Sequence, residues 1–124
     1  MGSLRNLRME KLEGDLLLYN EDCITGAQRI PSGAVDLIIN DPPFGIGESH
    51  FGSYNRDESY VREGYVEAPK GSEGYYLWTL GWMSKAARIL RPGGTLYVVT
   101  GFTRMREVMN AAVEKGLQFT NELI

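Results

Sequence analysis

The sequence predicts an α/β domain built on a mainly parallel sheet. Strand-type and helix-type hydrophobic periods alternate along the chain, the strand-type runs are almost continuously apolar, and glycine and proline turn chemistry separates them. Asp15 to Asn20, with Leu16, Leu17 and Leu18 at its centre, reads as a buried strand. Asp22 stands where an N-cap would open a helix through Ile24, Ala27 and Ile30, which Pro31 stops. Ser32-Gly33 is a turn. Ala34 to Asn40 is the strongest strand, rich in β-branched residues, and is expected to be central and covered on both faces. It ends at Asp41-Pro42-Pro43-Phe44. Residues 45–74 hold six glycines mixed with Phe51, Tyr54, Tyr60 and Tyr65 and show neither period; so long a loop beside the strand ends is expected to be flexible and functional. Tyr75, Trp78, Trp82, Ala86 and Ile89 then recur on one helical face, and Arg91-Pro92-Gly93-Gly94 is a turn that stops this helix. Thr95 to Thr100 is a second buried strand. Thr103 is placed to cap a helix striped by Met105, Val108, Met109, Ala112 and Val113, with Gly116 as its C-cap; Leu117 to Ile124 reads as the beginning of another strand.

Composition narrows the function classes. The 124 residues suit one compact domain, and no apolar run approaches the ~20 residues of a membrane span. The start carries no apolar signal core, so a cytoplasmic, nucleoid-associated location is expected. A single cysteine, Cys23, and a single histidine, His50, exclude an internal disulfide and a His-rich metal site, and no metal is expected. The net charge of −3 is uneven: residues 1–73 carry 13 acids and 7 bases, whereas Lys85, Arg88, Arg91, Arg104 and Arg106 fall in a stretch with no acid. Those five bases are either a face for a polyanion or ordinary solvated charge.

Asn40 to Phe44 is the sharpest chemical feature. Two prolines directly after a buried strand remove two backbone donors and fix two φ angles, leaving a rigid edge of carbonyl acceptors. Asp41 adds an acceptor carboxylate and Phe44 an aromatic plane, a set suited to a flat ligand bearing an amino group. The plainer reading is that Pro42-Pro43 ends the strand, Asp41 bonds its own turn and Phe44 packs in the core. Trp78 and Trp82 are expected in the core rather than as a ligand platform. Cys23 is expected to be small and buried rather than nucleophilic.

Asp41-Pro42-Pro43-Phe44 after an apolar strand resembles the catalytic motif of the amino-group DNA methyltransferases, which move a methyl group from S-adenosylmethionine to adenine N6 or cytosine N4. Upstream, Leu18 to Cys23 followed by a short helix and Pro31 to Ile39 is similar to the family's lead-in, with Glu21-Asp22-Cys23 where Gly-Asp-Cys is common. Downstream, Trp78 to Leu90 and Arg91 to Val98 resemble the helix and strand after the catalytic loop. The likeness spans residues 15–124.

That resemblance implies a partial Rossmann-like, S-adenosylmethionine-dependent methyltransferase fold. It implies catalytic roles for Asp41, Pro42, Pro43 and Phe44, and cofactor contacts for Asp22, Cys23 and Asp41, with Cys23 beside the cofactor's adenine. The partner is double-stranded DNA with a flipped target base, in a restriction-modification setting. Asp before the prolines and Phe after them favours adenine. The family's Phe-x-Gly-x-Gly cofactor loop does not occur in these residues. The expectation is therefore the amino-terminal, catalytic part (1–124) of the permuted beta class, inactive by itself, with a carboxy-terminal segment or a second chain completing the sheet. The rival readings are cytosine N4 methylation, an RNA or protein methyltransferase with a related motif, and a non-catalytic fragment or subunit.

Overall fold

The structure, a computed structural model, describes residues 10–11, 14–45, 68–69 and 71–123. Two pairs of strands and three helices follow in the order β1 (Glu10–Lys11), β2 (Leu17–Leu18), α1 (Cys23–Ala27), β3 (Val35–Asn40), α2 (Ser72–Ile89), β4 (Leu90–Val98) and α3 (Met105–Glu114), the last preceded by a 3-10 turn, Phe102–Arg104. The α/β class is as the alternating periods predict.

β1 and β2 form an antiparallel ribbon that the sequence did not announce, since β1 is only two polar residues. The strand expected over Asp15 to Asn20 contracts to Leu17–Leu18. Its leucines lie exposed rather than buried. Asp22 does cap α1: its Oδ1 accepts from the Ile24 and Thr25 amides at 3.0 and 3.1 Å. The helix itself stops at Ala27, and tight turns carry the chain to Ile30.

β3 and β4 run parallel, with Leu37 opposite Thr95, Ile38 opposite Leu96, Ile39 opposite Tyr97 and Asn40 opposite Val98. Upstream the register jumps, because Val35 already faces Leu90. Residues 91–94 therefore bulge opposite the single residue Asp36. The expected helix-stopping turn is thus a bulge inside a strand: α2 ends at Ile89, and Leu90 is already extended at φ −71° and ψ 129°. Pro92 cannot donate to a ladder and Gly93 adopts φ +77°, which together push this segment out of the pairing. Arg91 Nε reaches back to Asp36 Oδ1 at 2.7 Å.

Ile38, Leu96 and Val98 lie on the face that packs against a core of Tyr75, Trp82, Met83, Ala86, Val108 and Ala111 from α2 and α3. The other face carries Leu37, Ile39, Tyr97 and Val99, all exposed, Ile39 by 70%. Coverage of β3 on both faces, as its apolar run led one to expect, is not what the described residues provide. The apolar run is a true strand signal, but the helices lie on one side only.

α2 begins three residues before Tyr75, so residues 72–74, expected in the loop, form its first turn; Gly71 at φ +87° precedes it. Ser72 and Glu73 carry no hydrophobic period, which hid this start. The remainder of the expected loop, apart from Gly45, Ala68, Pro69 and Gly71, lies outside the described residues, as do His50 and the four aromatic residues assigned to it. In α3 the buried positions are Glu107, Val108 and Ala111, while Val113 is 64% exposed, so the expected stripe is rotated. Thr103 falls within the 3-10 turn and makes no cap, whereas Gly116 behaves as expected. With Gly116 at φ +83°, its amide reaches the Val113 carbonyl and Leu117 N reaches the Ala112 carbonyl, closing a Schellman motif. Beyond it, residues 117–123 form no strand. Among the described residues no helix is long and apolar enough to cross a membrane.

Candidate active site

The end of β3 delivers the Asp41–Phe44 turn at the carboxyl edge of a parallel strand pair, where ligands of such sheets bind. The Val99 amide donates to the Asn40 carbonyl at 2.9 Å, so the ladder holds up to the residue before Asp41. The turn then divides its groups between fold and solvent. Asp41 is exposed, Pro42 is buried, and Pro43 and Phe44 are half-buried. The Phe44 ring rests near Gly101, where a Cβ would stand 3.9 Å from Phe44 Cδ2. The residue is half-buried, so part of the ring stays accessible.

The Pro43 carbonyl accepts from the Tyr75 hydroxyl at 2.8 Å. Among the described residues, the Asp41 carboxylate and the Pro42 carbonyl accept no hydrogen bond. The plainer reading, in which Asp41 bonds its own turn, finds no such bond. One acceptor of the turn is consumed by the scaffold.

Beneath the turn lies a layer that sequence reasoning missed. Gly45, at φ +67°, faces the Tyr75 ring so closely that a Cβ would stand 2.4 Å from Cδ2 and 3.1 Å from the Pro69 carbonyl oxygen. Tyr75 is fully buried, with Trp78 at 5.5 Å centroid to centroid and the Arg104 guanidinium 5.8 Å above its ring. Arg104 and Arg106 stand 3.8 and 3.6 Å from the carboxylate of Glu107, which also accepts from Ser72 Oγ at 2.5 Å. Glu107 is only 4% exposed. The Ser72 hydrogen bond, with the α3 backbone and the two arginines, holds its carboxyl below the usual range despite the opposing effect of burial. Two signals were available in the sequence: a tyrosine on a buried helical face needs a partner for its hydroxyl, and a glutamate interrupting an apolar stripe needs a counter-charge.

No hydrogen bond or ion pair joins Asp22 or Cys23 to this turn among the described residues. The strand before them, β2, pairs with β1 and not with β3. The Asp22 carboxylate is exposed, with Oδ1 held by the α1 amides. Cys23 is exposed, correcting its expected burial. Partial desolvation first, and then the Asp22 charge, push its thiol up, which disfavours the thiolate. Trp82 is in the core as expected, and Trp78 packs against it.

The five clustered bases are mostly spent on the fold. Arg88 donates to the Ala27 and Ile30 carbonyls at 2.6 and 2.9 Å, tying the end of α2 to the turns after α1. Arg91 pairs with Asp36, and Arg104 and Arg106 lie beside Glu107. Lys85 and Arg88 make no ion pair among the described residues.

The class these features define is that of an α/β domain presenting an exposed carboxylate and a proline-stiffened turn at the end of a parallel strand. Residues 35–124, from the first residue of β3 onward, match the model of a family described as DNA methylase, and the chain belongs to that family. It is similar to the Type II methyltransferase M.BamHI of Bacillus amyloliquefaciens, 31% identical over 104 residues that make up 84% of this chain and 22% of the relative. The Type II methyltransferases M.ScaI of Streptomyces caespitosus and M.HpaI of Haemophilus parainfluenzae are 26% and 25% identical over 88 and 87 residues, or 71% and 70% of this chain. The chain spans about a quarter of the length of these relatives.

Proposed function

We propose that the chain is the catalytic-turn part of a DNA methyltransferase that transfers a methyl group from S-adenosylmethionine to the exocyclic amine of a base flipped out of double-stranded DNA. Adenine N6 is favoured over cytosine N4, on the Asp at the head of the turn and the Phe at its foot. The single observation that carries the reading is the division of acceptors in the Asp41–Phe44 turn: Pro43 is held by Tyr75, while Asp41 and Pro42 keep theirs.

An exocyclic amine is a weak nucleophile because its lone pair is delocalised into the ring. Donating its two N–H groups to the Asp41 carboxylate and the Pro42 carbonyl favours a pyramidal nitrogen whose lone pair points away from the ring. As the nitrogen forms its new bond to carbon it gains positive charge, which the Asp41 carboxylate stabilises before taking or relaying the departing proton. Phe44 supplies a stacking plane that offsets part of the few kcal/mol needed to flip the base. S-adenosylmethionine, when bound, supplies the electrophilic methyl group on its sulfonium. Asp22 fits the adenosine end of that cofactor: its carboxylate is exposed, Oδ1 is anchored by two amides, and Oδ2 accepts no bond among the described residues. Cys23 and Asp41 complete the expected cofactor contacts.

We take the whole to be Rossmann-like, cytoplasmic and nucleoid-associated, and part of a restriction-modification pair. The face and edges of the β3–β4 sheet that no described residue covers or pairs, and the quarter-length coverage of the relatives, support completion by further sequence, either a carboxy-terminal segment or a second chain. The test is made in that complete enzyme. With labelled S-adenosylmethionine and duplex DNA, Asp41→Ala is expected to lower methylation at least about a hundredfold while cofactor binding persists. Retained methylation refutes the assigned role. Methylation confined to RNA or protein moves the chain to the rival readings.

A further inference from the structure

We propose that Tyr75 is the positioning residue of the catalytic turn: it aims the Asp41–Phe44 acceptors through the Pro43 carbonyl without touching the reacting atoms. The inference rests on the methyltransferase reading above and assigns a device within the same site.

The ring of Pro43 locks its φ near −65°. One soft torsion, ψ of Pro43, therefore separates the plane carrying the Pro43 carbonyl from the plane carrying the Pro42 carbonyl, the acceptor that would receive the amine. The 2.8 Å hydrogen bond from the Tyr75 hydroxyl fixes the first plane in space. Fixing it narrows the directions open to the second, and it sets where the chain enters Phe44.

A hydrogen bond aims a group only as well as its donor is itself held. The Tyr75 ring is fully buried, Gly45 closes one side so tightly that no Cβ fits, and Arg104 and Trp78 approach at 5.8 and 5.5 Å. Its backbone belongs to the 18-residue helix α2, whose Arg88 is bonded to the turns after α1. The hydroxyl is the end of a clamped lever. Arg104 is in turn placed by Glu107, which Ser72 of α2 also grips, so α2 and α3 hold the ring between them.

The test uses the complete methyltransferase with Tyr75→Phe, which keeps the ring and deletes only the donor. The expected result is a fall in kcat of about tenfold, the scale of one lost hydrogen bond expressed at the transition state. KM for DNA, cofactor affinity and the melting midpoint are expected to stay near wild type. That kcat-against-KM split separates aiming from bulk structure, since a merely structural tyrosine would lower the folded fraction and leave the rate per folded site intact. Tyr75→Leu, which also removes the ring, is expected to lower the melting midpoint as well. An unchanged kcat for Tyr75→Phe, in an enzyme where Asp41→Ala is dead, overturns this proposal alone. Full activity of Asp41→Ala overturns the reading on which it rests.

Discussion

At Gly45 two constraints fall on one residue. Its φ of +67° is a conformation that L side chains adopt at a cost of ~1–2 kcal/mol, and a Cβ there would overlap the Tyr75 ring, adding ~1–3 kcal/mol of overpacking. Gly45→Ala is therefore expected to destabilise the enzyme by about 2–5 kcal/mol, read as a lowered urea midpoint, despite lying outside every helix and strand. A midpoint within error of wild type would show that the ring can move aside. Gly45 had been visible in the sequence only as one glycine of a featureless stretch. What makes it special is a contact with a residue thirty positions away, which no local pattern encodes. Asp41 and the two prolines were legible for the opposite reason: proline chemistry acts within the backbone of its own turn, so the rigid edge can be read from neighbours alone.

Between α2 and α3, the Ser72–Glu107–Arg104 junction predicts an acid response. Glu107 has its pKa lowered in the fold, so its contribution is fully present above the unfolded value near ~4.3 and is lost as pH falls through the lower folded value. Glu107→Gln is expected to be less stable than wild type at pH 7 by about 1–3 kcal/mol, and this gap is expected to close towards pH 3. Urea unfolding at the two pH values measures it, and a pH-independent gap would contradict the assignment. The existence and order of the helices were legible because their apolar periods are long. The facing of α3 was not. A hydrophobic stripe assumes that charged residues point outward, and here a glutamate turns inward because two arginines and a serine meet it. The helix-stopping turn at residues 91–94 was misplaced for a related reason, since proline and glycine announce a break in pairing without saying whether the chain reverses or merely bulges.

At the scale of the whole molecule, the decisive fact is that no described element covers one side of the β3–β4 sheet. Leu37, Ile39, Tyr97 and Val99 share it, and Phe102 nearby is 90% exposed. So large an apolar patch marks an interaction surface or a liability. The 124 residues by themselves are expected to bind a hydrophobic dye, to unfold with a shallow denaturant dependence and to show no saturable S-adenosylmethionine binding. A steep transition together with cofactor binding would show that this part stands alone. The apolar run of β3 foretold a strand buried on both sides, and its composition is suited to that; what composition does not carry is which elements pack on each face. The bulge opposite Asp36 has a different consequence. Because Leu37–Asn40 take their register from Thr95–Val98 downstream of it, residues 91–94 act as an expansion joint. Deleting or adding one residue there is expected to change the bulge and leave the pairing that leads to Asp41 in register.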